Sequence, residues 1–250
     1  MANTAKNSKN DRFERFVNSF DDRYEPYIRQ HLFKVYMVLA STTAAAVGGA
    51  LLQMNNYIDL GMLAAIAGVV LLLGLLCYDD DGKNYYTRLG MLYALGFCCG
   101  QILGPPLGHI VSINPAIILT ALTGTFVIFA SLSLAALLSK QGSFLYLGGM
   151  LFSVLNCMLL LSLFNMIFKS YFVQITELYV GVFVKAAFIV YHTQNIVEKC
   201  RSGNRDAVQH ALDLYINVLG IFCRLLIILT KKEEQKKAEE EEEAKKKKKK

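Results

Sequence analysis

The chain has 250 residues, 54% of them hydrophobic and only 18% charged, and carries a formal net charge of +6. With a mean hydropathy of +0.36, it is too apolar for an ordinary soluble domain. The partner this composition points to is the lipid bilayer, not a nucleic acid.

Residues 1–31 form a polar segment that mixes both charge signs and contains no apolar h-region, so the first span is expected to direct insertion. A membrane-spanning helix needs about 20 predominantly apolar residues. Runs of that kind recur at 32–54, 60–78, 89–112, 116–138, 144–167, 172–195 and 208–229. The expected fold is all-α: a multi-pass, seven-transmembrane-helix bundle over 32–230 with the last helix at its centre. The connections NNYID, DDDGKNYYT, SINP, SKQGS and KSY are short, so consecutive helices are expected to pack as antiparallel neighbours. Within the third run, GQILGPPLGH places Gly104, Pro105 and Pro106 together, which predicts a kink or break. Small residues in GGALL, GFCCG and LGGML suit close helix packing in lipid.

Residues 231–250, KKEEQKKAEEEEEAKKKKKK, are low in complexity and charge-blocked, and are expected to form a disordered or transiently helical tail outside the core. Lys and Arg concentrate in alternate connections: Arg23, Arg29 and Lys34, then Lys83 and Arg88, Lys140, and Lys199, Arg201 and Arg205. The opposite loops hold only Lys169, which predicts a cytoplasmic amino terminus. An odd number of spans then carries the tail across, unless the seventh run is a re-entrant hairpin. Of the six cysteines, all but Cys200 lie in or at the edges of apolar runs. They read as small buried hydrophobes, with no metal-ligand spacing and no cofactor implied.

The last two runs break the apolar pattern. KAAFIVYHTQNIVEK, residues 185–199, holds Lys185 and His192; ALDLYINVLGIF, residues 211–222, holds Asp213 and Asn217, with Arg224 just beyond. Lys185 and His192 are seven apart and Glu177 is eight before Lys185, so the three share a stripe of the sixth helix. Asp213 and Asn217, four apart, share a face of the seventh. Ionisable groups inside a membrane are costly unless paired or wetted, and are functional candidates for that reason. If the stripes meet, Asp213 pairs with His192 or Lys185. The plainer alternative is that Lys185 snorkels and His192 is a hydrogen-bonded core residue.

Several separated stretches resemble the transmembrane Bax-inhibitor-motif family, insect members above all. They are GMLYALGFCCGQILGPPLGHIVSINPAIILTALTGTFVIF (residues 90–129), FLYLGGML (144–151), LYVG (178–181), TQNIVEK (193–199) and ALDLY (211–215). The resemblance spans nearly the whole chain. It implies an endoplasmic-reticulum membrane protein with a central last helix, a pH-sensitive leak for calcium as permeant ion, and suppression of stress-induced apoptosis linked to the unfolded protein response. Bcl-2-type or stress-sensor membrane proteins are the partners it implies. In the family pattern the positions of His192 and Asn217 are aspartates that sense pH as a pair; here only Asp213 matches a family aspartate. The resemblance therefore implies an ion pathway along Glu177, Lys185, His192, Asp213 and Asn217 with a weakened proton switch.

Three other classes compete. A zinc-dependent intramembrane hydrolase is disfavoured because His31, His109, His192 and His210 fall on different helices without ligand spacing, and no nucleophile and base can be placed, so no enzyme is expected. A receptor rests on helix number alone. A membrane adaptor that works by partner binding finds support in the charged tail.

Overall fold

The structure is a computed structural model that describes residues 23–248; residues 1–22 and 249–250, including most of the expected polar amino-terminal segment, lie outside the described residues. Among the described residues seven helices follow in chain order: α1 Pro26–Met54, α2 Gly61–Cys77, α3 Tyr85–Ile113, α4 Ala116–Leu138, α5 Leu147–Phe168, α6 Tyr171–Arg201 and α7 Ala207–Lys248. Six are long and apolar enough to cross a membrane, and α2, with 17 residues, is a shorter apolar helix. Seventeen residues is the lower limit for a span. The chain is a multi-pass all-helical membrane protein, as its composition requires.

Local chemistry sets the helix ends. Pro26 opens α1, where its missing amide costs nothing. Asp206 precedes α7 and its Oδ1 accepts from the Val208 and Gln209 amides at 3.1 and 3.0 Å, an N-cap in the usual geometry. Lys169 closes α5 with φ +50°, a left-handed end that turns the chain directly into α6. Several helices outrun the apolar runs: α1 begins at Pro26, α3 at Tyr85, and α6 continues to Arg201. Arg29, Lys34, Arg88, Lys199 and Arg201 therefore sit on helix ends, not in loops.

α7 packs against α1, α3, α4 and α6, which makes the last helix central, while α2 leans chiefly on α3 and α5 on α6. The expectation that each helix neighbours the next fails at the start of the chain. α1 packs on α3 instead of α2, and the reason is a glycine stripe. A Cβ at Gly100 would run into the Ala46 carbonyl, and one at Gly96 would stand 2.7 Å from the Thr42 carbonyl oxygen. Only bare backbone permits that approach, the close contact that small residues provide in lipid.

Of the kink or break predicted at Gly104, Pro105 and Pro106, the break does not occur. α3 runs through both prolines to Ile113. Two consecutive prolines remove two amides but leave the rest of the ladder, and the segment is braced from outside. Gly104 packs directly on the Gln53 side chain of α1. One turn earlier, Gln101 Nε2 donates to the Gly49 carbonyl at 2.8 Å and its Oε1 accepts from the Leu60 amide at 3.3 Å.

In the tail the helical alternative holds over the described residues and the disordered one does not: α7 continues as helix to Lys248. Ion pairs of i,i+4 spacing explain it: Lys236 with Glu240 at 3.8 Å and Glu242 with Lys246 at 2.7 Å. Where the tail leaves the bundle, Asn114 Nδ2 donates to Glu233 Oε1 at 3.0 Å and Lys237 Nζ to the Ile113 carbonyl at 2.8 Å. Because α7 is one unbroken helix, a re-entrant hairpin is excluded, and the tail emerges at the end of the bundle opposite the start of α1.

Candidate functional site

The Asp206 cap fixes the start of α7, and Asp213 follows seven residues later on the side turned to α6. His192 Nδ1 lies 3.8 Å from Asp213 Oδ2, with the two side chains 17% and 24% exposed. That separation is too long for a hydrogen bond. The imidazole is held in place by aromatics: Phe188 stacks on it at 5.6 Å between centroids and Tyr191 meets it edge-on at 5.2 Å. The other oxygen of Asp213 accepts from Gln209 Nε2 at 3.3 Å. Asn217 is buried and donates its amide to the Asp213 backbone carbonyl at 2.7 Å, so it turns back onto its own helix. The contact thus consists of one imidazole and one carboxylate facing each other between α6 and α7.

The rest of the expected stripe lies apart from this contact. Lys185, two turns from His192 on α6, meets Arg224 of α7 instead of Asp213; both approach the bare backbone of Gly220. Glu177, two turns further on, forms no ion pair among the described residues, and its Oε1 is buried without a hydrogen-bond partner. The candidate residues therefore occupy successive levels of one seam.

Folding also assembles polar contacts that sequence reasoning missed. His31 Nε2 and His210 Nδ1 are 2.9 Å apart between α1 and α7, both buried. One ring donates and the other accepts, so the bond holds only while the pair is not doubly protonated. Arg88, 2% exposed, pairs with Asp206 at 2.5 Å. Gln194 ties α6 to α4: its amide donates to the Ala136 and Lys140 carbonyls, both at 3.1 Å, and its oxygen accepts from the Phe144 amide at 2.9 Å. Each partner is 50 or more residues distant, and the one available signal was a polar residue in or beside an apolar run. Although the fold brings His31 and His210 together, no group of three metal-ligand side chains exists among the described residues. All six cysteines are free; Cys200, expected in a polar loop, is buried at the end of α6, while Cys77 and Cys157 are exposed.

At the amino-terminal end the chain is tied to α4. The Tyr24 hydroxyl donates to the Leu137 carbonyl at 2.7 Å, Arg23 reaches the Leu138 carbonyl, and Arg201 pairs with Glu25 at 3.4 Å. Burial raises the Tyr24 phenol above its ordinary pKa. The backbone amide, and then Arg201, hold the Glu25 carboxyl below the usual glutamate value.

A bundle of apolar helices around a central last helix, with an imidazole and a carboxylate facing each other inside it, is that of a multi-pass membrane protein. The family model described as "Inhibitor of apoptosis-promoting Bax1" matches residues 28–234, and the chain belongs to that family. It is 73% identical to "Bax inhibitor 1" of Drosophila melanogaster over 91% of this chain and 92% of the relative. It is 36% identical to "Bax inhibitor 1" of Homo sapiens over 86% and 92%, and 32% identical to "Bax inhibitor 1" of Arabidopsis thaliana over 81% of each.

Proposed function

We propose that this chain is an endoplasmic-reticulum membrane protein that restrains stress-induced apoptosis by letting calcium leak through the bundle, with its amino terminus in the cytoplasm. Its membership of the family and the relatives' name support the role in cell death. The observation that carries the mechanism is the His192–Asp213 contact between α6 and α7. Two carboxylates at one site cannot both ionise cheaply and share a proton, which gives a steep switch. Here an imidazole faces one carboxylate and Asn217 does not titrate. The response to pH is that of one His, and the protonated imidazole repels calcium. No step of this mechanism makes or breaks a covalent bond.

Reconstituted in liposomes, the protein is expected to pass calcium with a shallow, single-proton dependence between about pH 6 and 8. Asp at positions 192 and 217 together (His192→Asp with Asn217→Asp) is expected to restore a steep dependence that neither change alone gives. A two-proton response of the unaltered protein, or no flux at all, defeats the reading.

A second reading is favoured by the helical tail. Beyond the bundle α7 exposes Glu239 to Glu243 beside a lysine block, a surface for Bcl-2-type or stress-sensor membrane proteins and a means of acting without transport. Removal of residues 231–250 separates the two: a leak survives it, and an adaptor loses its activity.

A further inference from the structure

We propose that Lys185 of α6 and Arg224 of α7 form a binding site for an oxyanion, either the phosphate of a lipid headgroup or a free inorganic anion. Two glycines build it. With no side chain at Gly181, Arg224 lies across α6: a Cβ there would run into Arg224 Nε and stand 2.9 Å from its Cδ. One turn along each helix, a Cβ at Gly220 would stand 3.2 Å from Lys185 Cε and 3.4 Å from Arg224 Nη1. Two cations from different helices thus converge over one bare point of backbone.

Among the described residues no carboxylate pairs with either cation. Arg224 donates to the Gly220 carbonyl of its own helix at 3.1 Å, leaving most of its five donors unused. The Lys185 ammonium stands 6.0 Å from the centre of the Phe188 ring. Glu177, one turn from Gly181 on the same stripe, forms no ion pair with either cation among the described residues. Like charges held this close in a low-dielectric setting repel strongly, and an oxyanion that accepts from the guanidinium fork and the ammonium together removes the repulsion.

The position suits a headgroup. Lys185 is 16 residues before Arg201 and Arg224 is 17 after Ala207, so both lie about 25 Å along the bundle from its amino-terminal end. In a hydrocarbon layer about 30 Å thick, that is the tail-side half, where long cationic side chains reach toward the headgroups. Lys185, Gly220 and Arg224 are each part-buried, so a ligand can reach them. Basic pockets between membrane helices bind anionic headgroups in general. The site stands whether or not the bundle conducts calcium.

The test follows thermal unfolding of full-length, delipidated protein in non-ionic detergent at constant ionic strength. Inorganic phosphate and short-chain phosphatidic acid are titrated separately. Stabilisation by the lipid alone assigns a headgroup site, by phosphate alone a free-anion site, and by both an oxyanion site of either source. In each of these cases Lys185→Met and Arg224→Gln are expected to weaken the apparent affinity about tenfold or more, while Arg224→Lys keeps most of it. The tail lysines are common to every variant, so their contribution cancels. No stabilisation by either ligand, or equal stabilisation of the unaltered protein and both variants, overturns the proposal. Should either variant fail to fold, native mass spectrometry of the unaltered protein and Arg224→Lys decides: preferential retention of phosphatidic acid over phosphatidylcholine supports the site, and equal retention overturns it.

Discussion

At the amino-terminal end of the bundle α1, α3, α4, α6 and α7 are joined by buried, long-range polar contacts: Arg88 to Asp206, His31 to His210, and Gln194 to the carbonyls of α4. At the opposite end the ties are fewer and wetter, with Asn114 bonded to Glu233 and Lys237 bonded to the Ile113 carbonyl at the surface. The apolar packing follows the same division. Ile28, Leu32, Leu92, Ile196 and Leu212 belong to a large cluster near the amino-terminal end, and Leu107, Ile117, Phe222 and Leu226 to a smaller one toward the tail. Polar groups withdrawn from both water and lipid must satisfy one another, so buried pairs concentrate at the amino-terminal end, with Gln101 and the Gly49 carbonyl as their counterpart toward the tail.

Arg88 is where that contrast breaks most sharply. Arg88→Met leaves Asp206 unpaired and is expected to cost about 3–5 kcal/mol in denaturant unfolding from mixed micelles. Adding Asp206→Asn, which keeps the helix cap, is expected to recover part of the loss. No recovery would mean that the pair is not the source of the stability.

The seam between α1 and α3 runs through both ends and comes next. Gly100→Leu forces a side chain into the Ala46 carbonyl and is expected to cost about 1–3 kcal/mol or more. Gly48→Ala, on the same helix as Ala46 but with nothing within 4 Å of its Cβ position, is expected to be neutral or slightly stabilising. Equal losses at the two positions would remove the glycine stripe as the reason α1 packs on α3.

Gln194→Ala orphans the Phe144 amide and two carbonyls of the α4 end, an expected loss of about 1–3 kcal/mol, readable as faster hydrogen exchange confined to residues 136–144. At the tail end Asn114→Ala removes a surface contact and is expected to cost a few tenths of a kcal/mol.

Glu25 gives the smallest effect and a defined sign. Its carboxyl is held below the ordinary glutamate pKa of about 4.3 by the backbone amide and Arg201. Its contribution is therefore present above that value and lost as pH falls through the lowered one. The stability difference between the unaltered protein and Glu25→Gln is expected to shrink on acidification; a difference that grows would reverse the assignment.

Most of the helical framework was legible in the chain, because the runs that became α2, α4 and α5 are apolar from end to end and lipid leaves such segments few other conformations. The places where reading failed share a cause. Pro105 and Pro106 predicted a kink or break, but the helix runs through them, braced by Gln53 of α1 and by the bonds Gln101 makes to α1 and the segment after it. A charged tail left disorder and transient helix both open, and lysine and glutamate at helical spacing decide for helix. At the candidate site, periodicity placed Glu177, Lys185 and His192 on one stripe and Asp213 with Asn217 on another, and could go no further.

Which stripe faces which, and at what height, depends on how helices slide and rotate against each other, and that is set by contacts between residues far apart in the chain. Amino-acid order alone established a bilayer protein of seven apolar helices with ionisable groups in the last two, because hydrophobic length and the expense of buried charge are local properties. Packing alone settled that His192 meets Asp213, that Lys185 meets Arg224, and that His31 meets His210 across 179 residues. Those partners are chosen by where Gly96, Gly100, Gly181 and Gly220 let neighbouring helices come close.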